Sequence, residues 1–298
     1  MKLDDPSRAA RRAGASILAA PVLPDDSLHG SWQERRDWLR ERIRQHPIGG
    51  ISPEEIEVHF SAMPDHYWDR VNESDLAWGL ETIHGFLELV TTQNVPATAP
   101  YVNWRQTPSE GQTRIMLCTW DRHGLLAKAA AAFSAVRLNI LQADVFTRTD
   151  NVVLDLFAVT HSDGHGPATP TQLQETSFLI EGALSEPPRF ASVWACSRHK
   201  FLASPGRFAP RISFDNDASP GSTLVHVEAP DRLGLLYDLL QALADNGLGI
   251  TQALIETRND LAHDSICVTN ARGEKVLDPR ELEKLRSSLL TAITVTGS

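Results

Sequence analysis

The sequence predicts an α+β protein in which an α-helical segment precedes two tandem copies of one βαββαβ unit. The first observation is an internal repeat, since residues 121–126 read DRHGLL and residues 231–236 read DRLGLL. The second is that each copy alternates apolar runs of strand length with apolar stripes of helical spacing. The third is the turn chemistry between these runs, where Asn, Asp, Gly and Pro concentrate.

The repeat extends well beyond the motif. At an offset of 110 residues, identical residues recur at Asp121/Asp231, Arg122/Arg232, Gly124/Gly234, Leu138/Leu248, Ile140/Ile250, Gln142/Gln252 and Arg148/Arg258. After one deletion the match resumes at Asp155/Asp264, Val159/Val268 and Gly164/Gly273. Identities spaced so evenly over about forty positions indicate the duplication of one structural unit.

Both copies predict the same first elements. A short apolar strand, 114–118 in one copy and 223–227 in the other, leads into the motif. A helix with one apolar stripe follows. A two-strand hairpin comes next, and it turns at 149–151 in the first copy and at 259–260 in the second, where Asn and Asp favour a tight turn.

The last elements of each copy are a second helix and a final strand. Thr169-Pro170 and Asp278-Pro279 predict the two helix starts, each with a capping residue before a first-turn proline. We expect the final strands at Pro210–Asp215 and at Ala292–Thr296. This order makes each copy a ferredoxin-like βαββαβ unit.

The residues before the repeat predict three helices. Residues 31–46 form a charged helix, Ser52 to Glu55 form a capping box that opens a second, and residues 72–90 form a third. The third helix has an apolar stripe that must be buried against a sheet or a partner protein. Its histidines and those nearby, namely His59, His66 and His84, have spacings that match no metal-ligand pattern, so we expect packed or surface histidines and no metal or cofactor.

Composition limits the classes of function. The chain has 298 residues and a formal net charge of −10, which argues against a broad nucleic-acid interface. Its three cysteines form no C-x-x-C pair, as is usual in a reducing compartment. No apolar run approaches the roughly 18 residues of a membrane helix, so we expect a cytoplasmic protein without membrane contacts.

The DRxGLL motif between the first strand and first helix of a βαββαβ unit resembles that of ACT domains. The tandem pair, with the run PRISFD at 210–215 before the second copy, resembles the C-terminal half of the bacterial PII uridylyltransferase/uridylyl-removing family. The runs FSAMP at 60–64 and HYW at 66–68 add to the resemblance, which covers roughly residues 55–298. It implies a flexible N-terminus at 1–29, a helical segment at 30–95, and ACT domains at 99–216 and 217–298.

The catalytic motifs of that family are not found in this sequence. Its nucleotidyltransferase uses a Gly-Ser motif followed by a D-x-D pair, but no such pair follows Gly221-Ser222. Its hydrolase module uses several His and Asp ligands, and the single His-Asp pair, His263-Asp264, is interpreted as structural. We therefore expect no catalytic residue and a free-standing regulatory half, although descent from an enzyme leaves residual activity as an alternative.

The motif turn offers a site for an amino acid. Unpaired N–H groups at a helix N-terminus favour a carboxylate, glycine allows close approach, and an aspartate can bind an ammonium group. In ACT domains the start of the following strand comes beside this turn, so the candidate ligand-binding residues are Asp121, Arg122, His123, Gly124, Leu125, Asn139, Ile140, Asp231, Arg232, Gly234, Leu235, Gly249 and Ile250. The structural alternative is a turn whose aspartates cap helices. If one site binds, the Asn139 site has more polar groups.

The resemblance implies a regulatory protein that senses an amino acid, with glutamine as the first candidate. Its partner would be a PII-type signalling protein or a separate catalytic subunit, and a homodimer is compatible with pairing of ACT sheets. A scaffold whose ligand sites are inactive is the remaining alternative.

Overall fold

The computed structural model describes residues 31–92, 95, 99–107, 111–122, 124–162, 166–185 and 208–294. The predicted flexible segment 1–29 lies outside these residues. The α-helices are α1 (Trp32–Gln45), α2 (Pro53–Ala62), α3 (Asp65–Trp68), α4 (Glu73–Thr92), α5 (Leu125–Ala135), α6 (Pro170–Ser185), α7 (Leu235–Asp245) and α8 (Pro279–Thr294). The strands are β1 (Tyr101–Thr107), β2 (Gln112–Trp120), β3 (Leu138–Asp144), β4 (Val152–His161), β5 (Arg211–Asp215), β6 (Thr223–Pro230), β7 (Gly249–Arg258) and β8 (Leu261–Thr269).

The eight strands form one sheet in the order β1-β2-β4-β3-β7-β8-β6-β5. The second half of this order repeats the first in reverse, so the two copies meet at β3 and β7. These two strands pair antiparallel, with Gln142 opposite Glu256, Ala143 opposite Ile255 and Asp144 opposite Leu254. The predicted α+β class with tandem ferredoxin-like units is confirmed.

The position of the edge strands differs from the prediction. The run at 211–215 is a strand, but it pairs antiparallel with β6 and does not complete the first copy. The predicted final strand at Ala292–Thr296 is helical as far as Thr294, and the residues after it lie outside the described part of the chain. A hairpin between β5 and β6 needs only a short loop, so it forms at a low cost in loop-closure entropy. The edge strand of each copy therefore precedes its first strand.

Local signals in the sequence account for the helix and turn boundaries. Ser52 accepts a hydrogen bond from Glu55 N at 3.2 Å and Glu55 closes the predicted capping box. Asn259 and Asp260 have φ of 51° and 61°, the left-handed pair that a two-residue hairpin turn requires. Gly247, just after α7, has φ of 72°, as predicted for a helix C-terminus.

The chain divides into two compact units. The smaller one contains the described residues of Met1–Arg105 together with Ile115–Asp121 and Phe146–Asp155. The larger one contains Gln106–Arg114, Arg122–Val145 and Leu156–Ser298. Within the larger unit, α5 packs against both α6 and α7, and α7 packs against α8, so these four helices form one row.

Within the smaller unit, α4 packs on residues of the sheet. Phe86 is fully buried, and its ring lies 5.7 Å from that of Trp120 in an edge-to-face contact. A methyl group added to Gly79 would lie 3.1 Å from Leu154 Cδ2, which shows how closely helix and strand approach. The predicted apolar stripe is therefore buried against the first copy's sheet. No helix in the described part of the chain is long and apolar enough to span a membrane.

Two helical glycines predict opposite effects of the same substitution. A Cβ at Gly85 in α4 would lie 2.6 Å from Tyr101 Cζ, so Gly85→Ala should destabilise the protein by about 1–3 kcal/mol through overpacking. A Cβ at Gly182 in α6 has nothing within 4 Å, so Gly182→Ala should stabilise it by about 0.5–1 kcal/mol. Urea unfolding of both variants measures this, and equal midpoints would contradict the packing of α4 on β1.

Candidate ligand site between the two copies

The DRLGLL turn of the second copy holds the N-terminus of α7 in a defined geometry. Asp231 N donates to Asp260 O at 2.9 Å, which ties the turn to the β7–β8 hairpin. Leu235 N donates to Arg232 O at 3.0 Å. Gly234 precedes α7 with φ of 82°, and no side chain caps the helix. No side-chain oxygen therefore caps the first turn of α7, and glycine adopts this left-handed conformation without strain.

The DRHGLL turn of the first copy repeats this geometry. Asp121 N donates to Asn151 O at 2.8 Å, and Leu125 N donates to Arg122 O at 3.1 Å. Gly124 precedes α5 with φ of 72°, again without a side-chain cap. The repeated sequence therefore encodes one repeated turn.

The two motif arginines have a structural role. Arg122 donates to Leu184 O at 2.8 Å, near the end of α6. Arg232 donates to Ala292 O at 2.8 Å near the end of α8, and it pairs with Asp238 Oδ2 at 2.7 Å. Each arginine thus supplies a donor to a helix C-terminus, where carbonyl groups lack partners within the helix.

A small cavity that opens to solvent lies between the two copies in the larger unit. Six of the predicted ligand-binding residues line it together: Asn139, Ile140, Asp231, Arg232, Gly234 and Leu235. The first two come from β3 of the first copy and the other four from the motif turn of the second. The structure therefore places Asn139 and Ile140 beside the motif turn of the second copy, whereas the sequence predicted them beside the turn of their own copy.

Polar groups from both copies converge on one carboxylate in this cavity. Asn139 Nδ2 donates to Asp231 Oδ2 at 2.9 Å, and Thr257 Oγ1 donates to the same oxygen at 3.1 Å. Among the described residues, no hydrogen bond engages Asp231 Oδ1. The cavity thus presents a partly unsatisfied carboxylate beside a carboxamide, a hydroxyl and a helix N-terminus.

A second carboxyl group lines the cavity, and it was not predicted as a site residue. Asp264 is 2% exposed, and its Oδ1 has no hydrogen-bond partner in the described part of the chain. Burial, and then the charge of Asp231, raise the pKa of Asp264 to about 8, against the lowering effect of a hydrogen bond from the backbone of Glu256. This carboxyl group is therefore neutral at pH 7.

The first copy has an equivalent group. Asp155, which aligns with Asp264 in the repeat, is 1% exposed and its Oδ2 has no described partner. Burial raises the pKa of Asp155 well above its ordinary value, and the charge of Asp121 raises it further, although a hydrogen bond from Phe146 N opposes both. Both copies therefore place a buried carboxyl group behind the motif aspartate.

Sequence reasoning missed half of the cavity lining. The unpredicted residues are Ser134, Leu236, Ile255, Thr257, Ala262 and Asp264. The repeat itself contained one signal, since Asp155 and Asp264 occupy matching positions in strands whose inward positions are apolar. An acidic residue repeated at a buried strand position needs an explanation.

The remaining predicted residues, which include the motif turn of the first copy, do not line this cavity. Asp121 lies in the smaller unit, Gly249 and Ile250 begin β7 in the larger unit, and His123 lies outside the described residues. Arg122, Gly124 and Leu125 form the turn described above. Ligand binding at this second site stays a prediction.

The histidines of the helical segment are packed or paired. His59 is buried, with Nε2 3.2 Å from the Tyr67 hydroxyl, and burial followed by the charge of Arg148 lowers the pKa of His59 to about 3. His84 Nδ1 lies 2.9 Å from Glu55 Oε1. In the described ranges, no three His, Cys, Asp or Glu side chains are grouped as metal ligands.

Residues 211–296 match the family model described as "ACR9-like, ACT-like domain". The chain is 31% identical over 262 residues to the bifunctional uridylyltransferase/uridylyl-removing enzyme of Azospirillum brasilense, covering 87% of this chain and 27% of that enzyme. It is 29% identical over 253 residues to the enzyme of the same name from Ectopseudomonas mendocina, covering 83% and 27%. The chain thus spans about a quarter of the length of these curated relatives.

Aspartate kinase from Synechocystis is a weak structural match, with a TM-score of 0.34 and 15% identity over 60% of this chain and 26% of that one. The duplicated turn, the paired ferredoxin-like units and the sequence matches agree with one another. The chain therefore carries two ferredoxin-like units, the second of which matches an ACT-like domain model, and it is similar to part of the bifunctional uridylyltransferase/uridylyl-removing enzymes.

Proposed function

We propose that this protein binds an amino acid between its two ACT units and regulates nitrogen metabolism in response, with glutamine as the ligand. The observation that supports this most directly is the cavity in which Asn139 of one copy and Asp231 of the other meet. Both residues are also ligand candidates on the sequence alone. Their convergence favours a ligand site over a turn that serves folding alone.

The residues that line the cavity are chemically complementary to the groups of glutamine. Its α-carboxylate fits the uncapped N-terminus of α7 at Gly234, where the helix dipole favours an anion. Its ammonium group fits the Oδ1 side of Asp231. Its side-chain amide can exchange hydrogen bonds with Asn139, while Ile140 and Leu235 contact the methylene groups.

Regulation requires that the ligand bind two arrangements of the protein differently. The ACT units are joined by the β3–β7 pairing and by the packing of α5 on α7, and both contacts flank the cavity. A ligand that bridges the copies would therefore favour one packing of the pair. We infer a cytoplasmic regulator, monomeric or homodimeric, read by a PII-type signalling protein or a separate catalytic subunit. We assign no catalytic role to it.

Glutamine at about 100 times its dissociation constant should stabilise the protein by about 2.7 kcal/mol, because it binds the folded chain alone. A thermal-shift screen of the twenty amino acids measures this, and glutamine should give the largest shift. Asp231→Asn should abolish the shift by removing the charge that holds the ammonium group. Asp260→Asn is the matched control, since its side chain is exposed and Asn tolerates its φ of 61°.

Calorimetric titration with glutamine decides whether one copy, both copies or neither binds the ligand. Binding stoichiometry of one would assign the site to the Asn139 cavity, whereas a stoichiometry of two that falls to one in Asp121→Asn would add the first copy's site. If no amino acid stabilises the protein, the proposal is wrong and a ligand-free scaffold replaces it.

A further inference from the structure

Asp264 is the least expected group in the cavity. An isolated carboxyl group is costly to bury, and natural proteins normally satisfy both of its oxygens. Here Oδ1 has no hydrogen-bond partner in the described part of the chain. The residue is buried and lines the cavity, so a ligand group held there would lie beside this carboxyl group.

The charged side chains around Asp264 indicate which kind of ligand group would bind beside it. The other ionisable side chains that line the cavity are Asp231 and Arg232. Arg232 is already engaged by Asp238 Oδ2 at 2.7 Å and by Ala292 O at 2.8 Å. Two carboxyl groups therefore share the cavity without a committed cation, and a ligand cation would complete them.

The charged side chains of the neighbouring strands do not supply a cation to the two carboxyl groups either. From β7, the carboxylate of Glu256 is paired with Arg258. From β6, Glu228 is paired with Arg211 at 3.8 Å and lies 3.8 Å from His263 Nδ1. Asn139 from β3 is neutral and its amide already donates to Asp231.

We propose that Asp264 and Asp231 together bind the ammonium group of the amino-acid ligand, and that binding releases the proton of Asp264 to solvent. This inference rests on the proposed amino-acid function and extends it to the regulation of the site. An ammonium group beside two carboxyl groups favours the ionised form of both. Ligand binding and proton release are then linked, and each must strengthen the other by the same factor.

The repeat supports a specific role for this carboxyl group. Asp155 in the first copy is also buried, and its Oδ2 likewise has no described partner. A carboxyl group that served only folding would gain nothing from an unsatisfied oxygen, since an apolar residue of similar volume is usually neutral or stabilising there. Its presence behind both motif turns points to a group that is completed by ligand.

The test uses the full-length protein and L-glutamine in isothermal titration calorimetry from pH 6 to pH 9. In the wild type, affinity should rise close to tenfold per pH unit between pH 6 and pH 8 and then level off. Titrations at pH 7 in two buffers of different ionisation enthalpy should show close to one proton released for each glutamine bound. Asp264→Asn should release none, and its affinity should change less than twofold over the same range, whereas Asp260→Asn should behave as the wild type.

A second probe needs no variant. N-Acetyl-L-glutamine keeps the carboxylate and the side-chain amide but has no ammonium group, so it should show no saturable binding. Glutamine binding that is independent of pH and releases no proton would overturn the role of Asp264 while leaving the amino-acid function intact. Absence of binding by every amino acid would instead overturn the proposed function, and this inference with it.

Discussion

Asp264→Asn should stabilise the ligand-free protein by several kcal/mol at pH 8 and by little at pH 4. The unfolded chain ionises this carboxyl group near its ordinary pKa of 3.8, whereas burial and the charge of Asp231 raise that pKa to about 8 in the folded protein. Between these values the folded protein binds one proton more than the unfolded chain. The free energy of unfolding therefore falls as the pH rises, by up to about 1.4 kcal/mol per pH unit.

Asparagine has the same shape and cannot ionise, so its advantage over aspartate should grow across this interval. Urea unfolding of the wild type and of Asp264→Asn, at pH values from 4 to 9, measures the difference. Asp155 contributes a slope of the same sign in both proteins, so subtracting the two curves isolates Asp264. If the free energies of unfolding of the two proteins change in parallel with pH, Asp264 is ionised at neutral pH and the prediction is wrong. Asp260→Asn controls for the loss of one exposed charge.

Phe86→Ala should destabilise the protein by about 3–5 kcal/mol, which is the usual cost of deleting a fully buried aromatic side chain. Phe86 has no exposed surface, and it packs edge to face on Trp120 within the smaller unit. The loss includes the transfer of the ring from water, the cavity that remains and the aromatic contact. Urea unfolding followed by tryptophan fluorescence reports on this unit directly, since Trp120 lies at the contact.

Phe178→Ala provides the matched control. Phe178 also lies in a helix, α6, but 74% of its surface is exposed. Its replacement should change the free energy of unfolding by less than about 0.5 kcal/mol, as most surface substitutions do. Equal losses in the two variants would mean that α4 does not pack on the sheet as described.

The predicted cost of Asp264 has a functional interpretation. A protein that lowers its own stability to bury a carboxyl group can recover that free energy when a cation enters the site. Glutamine would then stabilise the protein most at and above pH 8, where its binding no longer has to displace the proton of Asp264. The stability measurements on the ligand-free protein and the proton count on binding test the two halves of this linkage independently.

Local signals in the sequence predicted most of the secondary structure. The glycines of the two motifs precede α5 and α7 with positive φ, and Asn259-Asp260 forms the tight turn between β7 and β8. These features depend on a few adjacent residues and their intrinsic backbone preferences, so they can be read without the fold. The pairing of the edge strands was harder to predict from the sequence. It depends on which strand the connecting loop brings alongside, and not on the composition of the edge strand itself.

The candidate site divides in the same way. The duplicated motif indicated both Asp231 and Asn139 as candidate residues, but with Asn139 beside the turn of its own copy. The structure instead places Asn139 Nδ2 2.9 Å from Asp231 Oδ2 of the other copy. Thr257 was not predicted as a site residue, and it reaches the cavity from β7 because that strand pairs with both β8 and β3.

The sequence by itself determined the duplicated unit, the turn at each motif and the residue types suited to an amino acid, because each follows from short-range periodicity and backbone preference. Only the tertiary structure decided which strand completes each copy and that β3 joins β7 across the duplication. It also decided the state of Asp264. The pKa of a carboxyl group depends on its burial and on neighbouring charges, and here both come from residues distant in sequence that the fold brings around one cavity.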